Sequence, residues 1–319
     1  MLCFLVVLSF STVVTSRQQI NDAGSYSFVD CEWHHMRNSG HGGAIFYNVA
    51  NGGLILDTCL FNNCSCIEIG DCSGAICVLD CGLCNFSAVC YYKCFADRNP
   101  SYRVWSYHYQ ALVTSLTRMS EVKCRTNFHS SPSGGLTYHL ISHCNSSQNY
   151  IPGYFGGIGF HKCPNGLIGM FCQVADSYTE GLVSFYSDNS SLELSKWNFI
   201  NNYVPSGNWI CLHNMNPHIV LKYFVFVDNN ANQSVIQMPG VSHTVQFISC
   251  YFDIPYSSEY FQGCSLSSSQ FDKKGVFHII QIHYTESCGL SIYRTMEHFK
   301  KDRPIRCLLL NSMVFVLLI

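Results

Sequence analysis

An all-β chain wound as a right-handed parallel β-helix of about nine coils is the fold that the sequence predicts, on three observations. A column of cysteines and large aromatics recurs, at steps of 25 to 28 residues from Cys144 onward. A second, apolar column drifts in step with the first. Between them lie short segments with the inside/outside alternation of a strand.

The first column runs through Cys31, Cys59, Cys90, Cys144 and Cys172, then Trp197, Phe224 and Cys250, with Cys124 fitting more loosely. Two residues after its members stand Trp33, Phe61, Tyr92, Val174, Phe199, Phe226 and Phe252. From Cys144 onward the steps are 28, 25, 27 and 26 residues. The second column holds Ile45, Ile76, Leu136, Ile158, Val183, Ile210 and Ile236, and its late steps are again 25, 27 and 26. Leu54-Ile55-Leu56, Leu192-Glu193-Leu194, Ile219-Val220-Leu221 and Val245-Gln246-Phe247 lead into the first column as strands. No long stretch has the 3.6 period of a helix, and the leucine skeleton of a leucine-rich repeat is absent.

In such a coil each strand pairs with its equivalent about 4.8 Å away, so like residues stack on like. Cys31, Cys59, Cys90, Cys144 and Cys172 are therefore expected as an inward ladder of thiols. Phe61, Phe199, Phe226 and Phe252 form an aromatic ladder beside it, and Trp197 and Phe224 add bulk. Asn62-Asn63, Asn201-Asn202 and Asn229-Asn230 fall at the following turn, where Asn tolerates left-handed φ. The Gly-Gly pairs at 42–43, 134–135 and 156–157 suit tight corners.

Gly42-Gly43-Ala44-Ile45, a degraded copy at Ser73-Gly74-Ala75-Ile76, Phe199-Ile200-Asn201-Asn202 and Phe226-Val227-Asp228-Asn229 together resemble the GGAI and FxxN halves of the polymorphic outer-membrane protein repeat. Phe61-Asn62-Asn63 is one residue short of the second half. The cysteine-rich style is similar to surface proteins of trichomonad protists. Over residues 25–265 the resemblance implies a right-handed β-helix, secreted or displayed at a surface, with a role in adhesion. The C-terminal membrane barrel of bacterial members has no counterpart in the remaining residues.

The termini read separately. Residues 1–16 have the size of a signal peptide, with an apolar run over 2–10 and no basic start; a buried first strand is the other reading. Residues 17–270 are assigned to the helix and 271–306 to a cap or linker. Residues 307–319 form a hydrophobic tail behind a basic run, too short to span a bilayer but of the size of a lipid-anchor signal or a truncated anchor. Twenty cysteines in 319 residues agree with secretion. So do the Asn-x-Ser/Thr triplets at Asn63, Asn85, Asn145, Asn189 and Asn232, of which Asn189 is expected to be the most accessible.

Function is less legible. Only 12% of residues are charged and the formal charge is −2, without the basic stripe that nucleic acid requires. Cys81-Gly82-Leu83-Cys84 has the spacing of half a zinc site, but no second pair accompanies it, so no metal or other cofactor is assigned. Core thiols plus some loop-closing disulfides account better for the cysteines. Asp57, Asp80, Asp176, Asp228 and Asp253 occupy different phases of the coil and make no ladder. His34, His35 and His41 lie together without a nucleophile, and no catalytic residue is assigned. Tyr102, Trp105, Tyr107 and Tyr109 read as an aromatic insertion, a contact loop or partly core. The reading favoured is a non-catalytic secreted or surface protein that meets a protein or glycan on another surface, with possible membrane association through the C-terminal tail. A polysaccharide-active lyase or hydrolase on the same fold and a structural coat protein are the alternatives.

Overall fold

The computed structural model describes residues 5–66, 73–96, 105–124, 127–130, 138–161, 167–186, 192–205, 208–213, 218–231, 235–237, 244–262 and 264–271. Every element among them is a strand, and every strand pairing is parallel, as expected of a β-solenoid. One sheet ladder of 27 strands carries the stack, and a second joins Arg37–Asn38, Ser65–Cys66 and Phe95–Ala96.

One coil shows how sequence becomes structure. Ile45–Asn48 forms a first face, Gly53–Asp57 a second and Leu60–Asn62 a third. Leu54, Leu56, Cys59, Phe61 and Cys64 are buried, while Ile55, Leu60 and Asn62 between them keep some exposure, as a period of two requires. The third face is bracketed by two residues in the left-handed region, Thr58 (φ 54°) and Asn63 (φ 54°). The bracket recurs at the same five-residue spacing: 30 and 35, 88 and 93, 118 and 123, 143 and 148, 171 and 176, 196 and 201, 223 and 228. The left-handed residue turns the chain while its N–H still reaches the next coil, as in Thr58 to the Ser87 carbonyl (2.9 Å) and Asn63 to the Tyr92 carbonyl (2.8 Å). These corners keep their ladder bonds, and at Asp228 a carboxylate of the next coil takes the N–H instead.

The glycine pair at 42–43 makes another corner by proximity. A Cβ on Gly42 (φ 68°) would lie 2.0 Å from the Ile45 carbonyl oxygen, and one on Gly43 2.4 Å from that of Gly74. The pair at 134–135 lies outside the described residues.

The register corrects several expectations. Leu60 pairs with Cys90 and Phe61 with Tyr91, so Val89, not Cys90, stands beneath Cys59. Two adjacent tyrosines allow the pattern to be read one residue late, and a one-residue slip moves a side chain to the other face. Cys90 instead packs with Val122 on the outward side and is disulfide-bonded, as is Cys66. Cys124 belongs to the other corner, with Cys64 and Cys94. Phe128, paired with Ile158, takes the place given to Leu136, which lies outside the described residues. Trp105, Tyr107 and Tyr109 are not an inserted loop: they sit on the strand Trp105–Thr117, paired with Ser73–Ser87. Tyr102 lies outside the described residues.

The coil number also differs from the nine expected, because the register continues beyond Cys31 and Cys250. Leu5–Val14, within the expected signal peptide, pairs with Ser25–His34, and Cys264–Ser267 pairs with Thr244–Ile248. The expected cap after 271 and the tail at 307–319 lie outside the described residues.

Inside, the ladders form. Cys31, Cys59, Cys144 and Cys172 are buried thiols in one column, with Val89, Met119, Trp197, Phe224 and Cys250 completing it. Trp33, Phe61 and Tyr91 stack at centroid distances of 4.6 and 5.2 Å. Phe199, Phe226, Phe252 and Phe271 stack at 4.7, 4.9 and 5.2 Å. In the register Glu121, Ser146 and Val174 occupy the positions between these two aromatic blocks.

Candidate functional site

The corner after the third face has an interior and an exterior. Its interior column starts as thiols and ends as asparagines. Cys64, Cys94 and Cys124 donate to the carbonyls of Trp33 (3.5 Å), Phe61 (3.3 Å) and Tyr91 (3.6 Å) in the coil before. Asn202 Nδ2 and Asn229 Nδ2 make the same bond to Val174 (2.9 Å) and Phe199 (2.7 Å). Their Oδ1 atoms accept the N–H of Ser177 (3.1 Å) and of Asn202 (3.1 Å) respectively. The corner is therefore hydrogen-bonded from within, which fixes what lies outside it.

Outside stand three tyrosines. Tyr150, Tyr178 and Tyr203 each follow the corner by two residues and pair directly from coil to coil. Their rings lie 5.0 and 5.3 Å apart at tilts of 33° and 37°. Tyr150 is 55% and Tyr203 43% exposed, which makes them two of the most exposed large apolar side chains of the described residues. Beside them the corner offers Gln148, Asp176 and Asn201, and Asn201 Nδ2 donates to Asp176 Oδ1 at 2.8 Å. Amides, a carboxylate and phenols in that arrangement are complementary to hydroxyl-rich or peptide ligands.

Asp176 and Asp228 occupy one corner column with Asn201 between them, although they read as different phases in the sequence. Asp253 lies against this column, where its carboxylate accepts the Asp228 N–H. Burial pushes the Asp253 carboxyl up from its ordinary value, opposed by that N–H. Among the described residues no group of histidines, cysteines and carboxylates is arranged to hold a metal ion. Cys81 and Cys84 are both buried, and the Cys81 thiol donates to the Leu83 carbonyl at 3.0 Å.

His34 and His35 stay neighbours, with ring centroids 6.5 Å apart, and His41 stands apart from them. His34 Nε2 lies 2.8 Å from Glu32 Oε2, His35 Nδ1 faces Asn63 Nδ2 at 2.8 Å, and His41 lies against Phe46. Of the expected glycan sites, Asn63 holds a left-handed corner and is half-exposed, and Asn85 is half-buried on a strand. Asn145 is buried, with Nδ2 donating to Ser147 Oγ at 3.2 Å and Oδ1 accepting from Gln173 at 3.4 Å. Asn189 and Asn232 lie outside the described residues.

The tyrosine array was legible in principle. Each member follows the first column (Cys144, Cys172, Trp197) by six residues. Tyrosine is common in this chain, however, and only the known register singles out these three.

No family profile, curated protein or solved structure matches the chain. No helix among the described residues is long and apolar enough to cross a membrane, which says nothing about crossing by strands.

Proposed function

We propose that this chain is a non-catalytic binding protein, secreted or displayed at a surface, that uses its coils as a stiff support for adhesion to a glycan or protein on another surface. The observation that supports this reading is the outward ladder of Tyr150, Tyr178 and Tyr203. A folded chain gains little by leaving stacked aromatics half in water, whereas a ligand surface gains rigid, amphipathic contact area at low entropic cost. The regular coil spacing suits a ligand that is itself extended and repetitive.

The experiment is binding of the purified chain to cultured cells and to an immobilised glycan panel, beside the variant Tyr150→Ser/Tyr178→Ser/Tyr203→Ser. Because the three side chains are outward, the variant is expected to keep its β spectrum and lose binding. Equal binding by both proteins, or no binding by either, overturns the reading. Release of sugar fragments from the panel replaces it with the enzyme alternative.

A further inference from the structure

The corner before the third face carries a second array, independent of the tyrosines. In five successive coils its left-handed residue is Arg118, His143, Phe171, Lys196 and Tyr223. Arg118, His143 and Tyr223 are exposed, and Phe171 and Lys196 are half-exposed. The His143 ring stacks on Phe171 at 4.8 Å and 14°, and Lys196 Nζ sits 4.5 Å from the Phe171 centroid. Arg118 Nη2 donates to Ser87 Oγ at 3.0 Å, which steers its guanidinium along the corner. Lys222, next to Tyr223, is exposed as well.

Among the described residues no carboxylate belongs to this ridge. Below it the column continues as Ser249 and Ser268, and above it as Ala88 and Thr58, with Asp30 at the far end. Glu193 is exposed three residues before Lys196, but no ion pair joins them. Arg118, Lys196 and Lys222 thus line a rim about 19 Å long, from the rise of four coils, with aromatic and imidazole rings between the charges.

We infer that this ridge binds an acidic glycan, a sugar chain bearing carboxylate or sulfate groups, laid along the coil axis. Arg118 and Lys196 would take its anionic groups in charge-assisted hydrogen bonds, and Tyr223 its apolar ring edges. Single-stranded nucleic acid is the other anionic polymer of this shape, but its grip depends on bases stacking on open aromatic faces. Here the ring of Phe171 is flanked by His143 and Lys196, so a ligand that needs charge and edge contacts fits better. The inference concerns a different corner from the tyrosine array and stands or falls separately from it.

Titration calorimetry with heparin oligosaccharides, polygalacturonate oligosaccharides and a single-stranded oligonucleotide, at low and high salt, tests it. The natural protein should bind one of the acidic glycans with an affinity that falls as salt rises. Arg118→Ser/Lys196→Ser should weaken that binding by about tenfold or more per cation, the worth of a charge-assisted hydrogen bond. Lys196→Arg should retain it, and so should the triple tyrosine variant. Retained β spectra confirm that the variants fold. Unchanged affinity in the double variant, no binding of either glycan, or loss of binding in the tyrosine variant instead would overturn the assignment. Tighter binding of the oligonucleotide, lost in the double variant, would hand the ridge to nucleic acid.

Discussion

Trp197 stands directly under Cys172 in the register, and its indole Nε1 donates to the Gly169 carbonyl at 3.1 Å. That carbonyl is the counterpart of those which the thiols of Cys59, Cys144 and Cys250 meet in their own preceding coils, at Phe28 (3.4 Å), Leu116 (3.8 Å) and Leu221 (3.5 Å). Where the column holds a thiol or the indole it supplies a donor that an apolar interior tolerates, whereas Val89, Met119 and Phe224 supply none. Where indole replaces thiol, the coil above makes room with a glycine: a Cβ on Gly169 would lie 2.5 Å from Leu194 Cδ2 and 3.0 Å from Trp197 Cζ2. Gly169→Ala is expected to destabilise the protein by about 1–3 kcal/mol, the usual cost of overpacking, measured by urea unfolding. An unchanged midpoint would show that the indole has space to move.

The aromatic stack gives a second test. Phe226 is fully buried between Phe199 and Phe252, with Trp209 at 5.1 Å. Phe226→Ala should cost about 3–5 kcal/mol, because neighbours held by their own coils cannot collapse into the space. A loss near zero would count against the register.

Asn229 tests the polar ladder. Its amide serves the Phe199 carbonyl and its oxygen the Asn202 N–H, both buried. Asn229→Leu leaves the buried Asn202 N–H without its acceptor and takes the side-chain donor from the Phe199 carbonyl, and a loss of about 1–3 kcal/mol for the stranded N–H is expected in the same assay.

Thr58 offers a gain. A β-branched residue at φ 54° is held against its preference by the coil on either side. Thr58→Gly should raise stability by up to about 1 kcal/mol, less the entropy that glycine adds to the unfolded chain. A lower unfolding midpoint would mean that the side chain contributes more than the strain costs.

The thiols make a pH prediction. Burial pushes Cys250 and Cys211 up from the ordinary 9.0 to about 12. Cys172 is likewise raised, by burial first and then by Cys144. Between pH 9.0 and about 12 the unfolded chain loses these protons and the folded chain keeps them, so the unfolded state binds fewer protons and stability falls as pH rises through that window. Iodoacetamide at mildly alkaline pH should leave Cys172 and Cys250 unmodified until denaturant is added. Rapid labelling of either in the native protein would contradict their burial.

Much of this could be read without coordinates. The 25-to-28-residue steps and the alternation in Leu54-Ile55-Leu56 determined the strand type, the parallel stacking and most of the core, including Cys59, Phe61, Cys144, Cys172, Phe199, Phe226 and Phe252. They did so because a solenoid stacks each residue on its equivalent, so a column in space is a period in sequence. What the tertiary structure alone decided was register to the single residue and the role of the corners. Cys90 and Val89 are adjacent and both apolar, and only the bonds of Leu60–Asn62 to Cys90–Tyr92 choose between them. The corners bear almost any residue, from Thr58 to Phe171 to Asp228, because neighbouring coils impose the left-handed φ instead of a local turn sequence. For the same reason the outward arrays of Tyr150, Tyr178 and Tyr203 and of Arg118, His143, Phe171, Lys196 and Tyr223 carry no motif: they become neighbours only when the coils close.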